Sequence, residues 1–534
     1  MALLALVCLL FRAGRVGLAG DYVDPISRIT SQDEALYGHS AIAMAQSGDW
    51  ITPRFMGRLA LYKPPLLIWL SAASARILGI SRLALRFPVA LLSAMATGLI
   101  FLFAAELAQW QSGVCAAILL ASNHLWHVLG SSCMTDGLLV ALYVAAMYCL
   151  FSDPWLTSRR CFWGFSAAVA AAILTKSIAG ILPLGVLGLY WLSAPAKYKP
   201  TFLRVCLVGL LALALASPWF VYEFAVHGRW FQAEHVGVEI LGYGAGAPPQ
   251  TSQESHALFY LIRLALTDPV LLAAAVVAIP AFLTAVRKRS HEATLLLCWV
   301  VVVAASVAVW QYRNASYLLP LLPALAIIAS AYGPFARMRP AWWMLALAAA
   351  AFVLKAGAPS SPAGISFAAG TVQPLAPALS SYCRRGRGNE LILVGMDDDL
   401  YASVLPLPRL RYALLQAPSS DSRVAMDFVS MGIILNADQF NHLSQYEPGF
   451  LRRLHDWGID SSAPIGTLII ARSVPELSSI VQAHPDSDFL LPERYRAAAA
   501  GDSAHLPIDA SPDHVFLLSR TLLRGPVRKW SCGM

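Results

Sequence analysis

Charge is scarce in this chain. Only 13% of its 534 residues are Asp, Glu, Lys or Arg, while 57% are hydrophobic. Soluble domains carry about 25% charged residues, so a soluble globular protein of this size is excluded and a polytopic membrane protein follows. The nine cysteines include no CxxC pair, which removes zinc modules and redox dithiols of that kind. Seven of them (Cys8, Cys115, Cys133, Cys149, Cys161, Cys206 and Cys298) fall in apolar runs as packing residues. Cys383 and Cys532 remain in the C-terminal region, as a disulfide or as two thiols. No internal repeat is evident, whereas transporters are commonly built from duplicated halves.

What the chain has is long apolar runs. Runs suited to crossing a bilayer lie near 85–106, 113–132, 137–152, 161–175, 178–194, 205–222, 267–286, 293–310, 316–333 and 341–356. The N-terminal "MALLALVCLLFRAGRVGLAGDY" has no basic stretch before its apolar run, so it reads as a first membrane helix rather than a signal peptide. With it the count is about eleven. The formal charge of +8 does not point to nucleic acid, because the cations lie in short loops between the runs. Clusters at Arg159/Arg160, Lys197/Lys199/Arg204, Arg287/Lys288/Arg289 and Arg337/Arg339 are each separated by two spans, so they share one side, the cytoplasmic one.

Segment 63–80, "KPPLLIWLSAASARILGI", is an interfacial helix on this reading. As a span it would put the 21–84 loop and Asp136 on opposite faces. The outer face then receives the 21–84 loop, Asp136, Lys176, the 223–266 loop and "YRNAS" at 312–316. Polar residues at a membrane edge are costly and mark function.

Beyond about residue 358 the composition changes. Gly, Pro and Ser appear in "KAGAPSSPAGIS", then short β-rich runs "ELILVG", "RYALLQ", "GTLIIA" and "HVFLLSR" alternate with helical stretches. The expected architecture is a polytopic α-helical transmembrane domain over 1–357 and a C-terminal α/β extracytoplasmic domain over 358–534. That second domain has no nucleotide fingerprint and no catalytic-triad spacing. Its three consecutive acids Asp397, Asp398 and Asp399 read as a solvated turn rather than a calcium loop.

Candidate chemistry lies on the outer face. "SQDE" at 31–34 is a capping-box sequence, in which Glu34 returns a hydrogen bond to the Ser31 amide. Asp33 then sits in the first turn, where the helix dipole favours its carboxylate form. Lys63 precedes two prolines in "LYKPPL"; Asp136 lies in "MTDG", Lys176 in "LTKS", and Glu234 and His235 in "QAEHVGVE". Singly, each has a structural alternative: a snorkelling lysine, a capping aspartate, a loop histidine. Together they place anions and cations around one membrane face, as a reaction on a lipid-linked anion requires.

The block "DEALYGHSAIAMAQSGDWITPRFMGRLALYKPPLLIWLSAASARILGISRLALRFPVALL" resembles the signature of bacterial polyprenyl-phosphate-sugar glycosyltransferases of the GT-C superfamily. These include the lipid A aminoarabinose transferases, and the superfamily is shared with protein O-mannosyltransferases. "TDG" at 135–137, "LTKS" at 174–177, "SPW" at 217–219, "AEH" at 233–235 and "YLLPLLPALAI" at 317–327 follow in the family's order, so the resemblance covers about residues 20–335. It implies a GT-C-type fold, a periplasmic active site in the bacterial inner membrane, and transfer of a sugar from a polyprenyl monophosphate. By position, Asp33 is the implied general base and Asp136 a second active-site acid. Lys63 and Lys176, with Arg313, would hold the donor phosphate. Glu34, Tyr62, Glu234 and His235 are implied substrate or metal positions. Aminoarabinose transferases usually carry an acid before the lysine, associated with a divalent metal; here that position is Tyr62, which leaves His235 as the metal candidate. Expected partners are the polyprenyl-phosphate sugar, membrane lipids, and an acceptor that is lipid A, another envelope glycan or a protein. A flippase of lipid-linked sugars is the reading from another class.

Overall fold

The structure is a computed structural model, and it describes residues 32–55, 58–80, 82–246, 258–310, 313–333 and six strands beyond residue 389. Among the described residues, six helices are long and apolar enough to cross a membrane: Leu83–Leu107, Thr135–Ser152, Arg159–Ser193, Phe202–Gly228, Pro269–Arg287 and His291–Val309. The expected first helix and the run at 341–356 lie outside the described residues, as do Arg337/Arg339, Cys383, Cys532 and the triple aspartate at 397–399.

The helix Arg159–Ser193 is in fact a hairpin. A straight helix of its 35 residues would be about 52 Å long. Yet Trp155, just before it, donates from Nε1 to the Lys197 carbonyl at 2.8 Å, just after it. The reversal falls at Lys176 (φ −151°, ψ 47°) and Ser177 (φ 37°, ψ −113°). The two runs expected at 161–175 and 178–194 are its two arms. A second reversal occurs at Gly228 (φ 43°), where glycine suits a positive φ that other residues resist. Phe231 and His235 thereby return to within 6.2 Å, centroid to centroid, of the Trp219 ring.

One expected span is broken. The run 113–132 forms the helix Trp110–Ala121 and the short helix His124–Leu129. Asn123 divides them: its Oδ1 accepts from the Trp126 amide, and its Nδ2 donates to Asp268 Oδ2 at 2.9 Å. A polar residue that caps the second helix cannot also continue the first. The last described run likewise begins as a tight turn, Ala315–Leu321, before the helix Leu322–Ala331, because Pro320 and Pro323 withhold backbone donors.

The helices run between two ends. At one end the basic loops meet: Arg204 donates to the Trp155 carbonyl at 3.3 Å, and Tyr198 packs on His291 at 4.2 Å. At the other end lie Asp136, the hairpin tip, and the segment 32–80, with helices Gln32–Ser47 and Leu66–Leu78. This segment is stapled to the bundle. Trp219 Nε1 donates to the Ile51 carbonyl at 3.0 Å, and Thr52 Oγ1 donates to Glu223 at 3.0 Å.

β1 (Arg54–Phe55) and β2 (Arg58–Leu59) pair antiparallel within the 32–80 segment, and six C-terminal strands form a second, mixed sheet. β3 (Glu390–Gly395), β4 (Leu410–Leu415), β5 (Leu468–Ala471) and β6 (Ser487–Pro492) are parallel. β8 (Val515–Ser519) lies antiparallel to β6 and to β7 (Ala504–Pro507). The four β-rich runs expected there are all strands.

Candidate active site

Asp136 occupies the first turn of Thr135–Ser152 and is buried. Lys176, at the hairpin tip, meets it with Nζ 2.8 Å from Oδ1. The same ammonium stands 5.1 Å from the centre of the Tyr317 ring, a cation–π contact. An unbroken helix would continue past Lys176 along its own axis; the irregular dihedrals at 176 and 177 turn the side chain back across the end of the bundle.

Lys63 lies in the loop that enters Leu66–Leu78, followed by Pro64 and Pro65, whose fixed φ narrows its backbone. Its ammonium is ion-paired with Glu239. Burial pushes the lysine down to about 7, with Lys176 adding repulsion, while Asp33 and Asp136 pull the other way. The Glu239 carboxylate touches the ammonium directly, and we weigh that contact as holding it charged in the resting protein.

Asp33 completes the group. Its side chain is accessible, yet protein surrounds it closely enough that desolvation raises its pKa above the usual carboxylate value, against Lys63 and Lys176 and with Asp136. The helix dipole was expected to favour the ionised form; burial outweighs it. Asp33, Lys63, Asp136 and Lys176 therefore lie within electrostatic reach of one another. A cavity opens beside Asp136 and Lys176, lined also by the polar Glu239 and Tyr317 and by apolar residues such as Leu139 and Val303.

The remaining candidates divide. Glu34 is fully buried and forms a two-pronged ion pair with Arg86, at 2.7 and 2.8 Å, while accepting the Cys133 amide at 2.7 Å. Ser31 is outside the described residues. The expected capping bond to Ser31 therefore lies outside the described residues, while the Glu34 carboxylate ties its helix to Arg86 and to the Cys133 backbone. Tyr62 stacks on Tyr37, 6.3 Å between centres. Arg313 is half-buried before the Asn314-capped turn that leads to Tyr317.

Glu234 accepts the Leu61 amide at 2.7 Å, and burial raises its pKa well above the ordinary carboxylate value, against the Leu61 hydrogen bond. His235 reaches the Leu61 carbonyl with Nδ1 at 3.1 Å and Ser177 Oγ with Nε2 at 2.8 Å. Desolvation lowers it to about 4, so the ring is neutral. These donors do not fit a divalent metal. Both imidazole nitrogens are engaged, Tyr62 replaces the expected carboxylate, and no cluster of three His, Cys, Asp or Glu side chains occurs among the described residues.

Glu239, Tyr317 and Ser177 belong to this group without having been singled out in the sequence. Glu239 lies 176 positions from its partner, with no local pattern to flag it. Tyr317 opens the quoted "YLLPLLPALAI" run, and Ser177 closes "LTKS".

Comparison with known proteins fits this geometry. Residues 62–222 match the model of the dolichyl-phosphate-mannose-protein mannosyltransferase family. The undecaprenyl phosphate-α-4-amino-4-deoxy-L-arabinose arabinosyl transferase of Pectobacterium carotovorum is 26% identical over 320 residues, 57% of this chain and 54% of that protein. A protein of Aquifex aeolicus is 24% identical over 55% of this chain and 58% of its own length. The chain thus spans little more than half the length of the curated relatives it matches. The crystal structure of ArnT from Cupriavidus metallidurans superposes with TM-score 0.63 at 17% identity in the apo state and 0.62 at 18% bound to undecaprenyl phosphate. Each superposition covers 98% of both chains. In fold this chain is similar to ArnT, and in sequence it resembles the mannosyltransferase family and the arabinosyl transferases.

Proposed function

We propose that the protein is a membrane glycosyltransferase that moves a sugar from a polyprenyl phosphate of the undecaprenyl type to lipid A or another envelope glycan. One observation carries this reading: two lysines from separate elements are each held by a carboxylate, Lys176 by Asp136 and Lys63 by Glu239, and Lys176 and both carboxylates line a cavity whose remaining lining is largely apolar. That arrangement suits a headgroup anion attached to a hydrocarbon tail. The relatives' names and the ArnT complex with undecaprenyl phosphate support the same donor.

The donor is already activated, because its phosphate is the leaving group. The acceptor hydroxyl oxygen attacks the anomeric carbon as the bond from that carbon to the phosphate oxygen breaks. The hydroxyl proton passes to Asp33, and the electron pair leaves with the polyprenyl phosphate, whose new charge falls on Lys63 and Lys176, Arg313 being the further cation proposed for it. Attack opposite the leaving group inverts the anomeric carbon. Asp136 orients Lys176 and shares the acid cluster. The bilayer confines the donor beside the site and so favours encounter. The basic loops gather at the far end, which supports a periplasmic site in a multi-pass bacterial inner-membrane protein. The mannosyltransferase family match favours one alternative acceptor, a protein hydroxyl, served by the same donor chemistry.

The test is binding of undecaprenyl phosphate to purified protein, followed by mass spectrometry of envelope lipids and glycans from a deletion strain. Saturable binding and loss of one sugar from an envelope component are expected. Absent binding, with an unaltered envelope, overturns the proposal.

A further inference from the structure

Glu234 and His235 are consecutive residues on the segment that folds back after Gly228, and both engage one residue, Leu61. The Leu61 amide donates to Glu234 Oε2 at 2.7 Å, and the Leu61 carbonyl lies 3.1 Å from His235 Nδ1. A carbonyl only accepts, so Nδ1 carries the ring proton. In a neutral ring Nε2 is then an acceptor, and Ser177 Oγ donates to it across 2.8 Å. The imidazole is buried, stacked on Phe231 at 4.9 Å with an interplanar angle of 10°, and edged by Phe220. It has little room to turn.

Leu61 stands two residues before Lys63, and Ser177 immediately follows Lys176. Ser177 also holds a φ of 37°, a conformation that costs an L-residue energy unless its surroundings enforce it. One imidazole thus bridges the backbone behind one lysine to the strained turn behind the other. We infer that Glu234 and His235 are positioning residues, which fix Leu61 and Ser177 and so set the spacing of Lys63 and Lys176, His235 serving as a hydrogen-bonded clamp rather than a metal ligand. This rests on the reading of the two lysines as donor-phosphate residues.

The experiment uses full-length protein in detergent with undecaprenyl phosphate as probe, alongside metal analysis by mass spectrometry. His235→Ala and Ser177→Ala should each weaken binding about tenfold, as loss of one buried hydrogen bond does. The double variant should lose little more than either single one, because both remove the same bond. In a Lys176→Ala background, His235→Ala should lose most of its effect, which a merely structural histidine would not. Ser177→Gly, which adopts a positive φ freely, should bind better than Ser177→Ala. Chelator should change nothing, and purified protein should hold no stoichiometric divalent metal. Should His235→Ala fail to fold, the Gly-against-Ala comparison at 177 still decides. Wild-type affinity in both single variants, additive losses, or one metal ion per chain that disappears with His235 overturns the clamp. Absence of binding by the wild-type protein overturns the donor reading first.

Discussion

Glu34 and Arg86 form a buried, two-pronged ion pair, with Nε to Oε1 at 2.7 Å and Nη2 to Oε2 at 2.8 Å. The adjacent acid, Asp33, instead belongs to the group with the two lysines. Two neighbouring carboxylates on one helical turn thus have different surroundings, one in a buried ion pair and one beside Lys63, Asp136 and Lys176.

Removing either partner of the buried pair should be costly. Glu34→Gln or Arg86→Met leaves a charge uncompensated, which destabilises by about 3–5 kcal/mol. Glu34→Gln also weakens the acceptor of the Cys133 amide. Thermal unfolding in detergent should show a clear fall for each single variant, and the double variant should recover part of it. Melting unchanged from wild type in both single variants would rule the pair out as a structural tie.

Asp33→Asn should cut sugar transfer by about 10²–10⁴-fold, the usual contribution of a general base. Undecaprenyl phosphate binding should survive, since the substitution removes an anion from beside the phosphate site. Turnover within a few-fold of wild type would reassign the base.

Activity should fall away on both sides of an optimum. Asp33 has a raised pKa, so on acidification it takes up its proton earlier than an ordinary aspartate and ceases to act as a base. Lys63 is charged below its depressed value of about 7 and neutral above it, so binding of the donor's phosphodiester anion weakens as pH rises. The Glu239 contact shifts that alkaline limb upward. Lys63→Arg, which stays charged throughout, should move the alkaline limb to higher pH and leave the acid limb in place. An unmoved alkaline limb assigns it to another group.

Glu239 is ion-paired with Lys63, so a phosphate at this lysine would compete with the carboxylate and be repelled by it. Glu239→Gln should therefore tighten undecaprenyl phosphate binding several-fold, read by titration at low salt. Weaker binding would mean that Glu239 orients the lysine for its ligand.

The membrane class, most of the apolar runs, the C-terminal strands and the gathering of Asp33, Lys63, Asp136 and Lys176 were legible in the sequence. Hydropathy and charge act segment by segment: each run partitions by its own transfer free energy, and each basic loop stays on one side by its own charge. The break at Asn123 was missed because its partner, Asp268, is 145 positions away. Only the tertiary structure decided that Glu34 goes to Arg86, that Glu239 covers Lys63, and that His235 clamps Leu61 to Ser177. Those pairings join residues 52, 176 and 58 positions apart. The choice among partners is made by burial, which penalises any charge or polar group left without one, and burial exists only once the helices have packed.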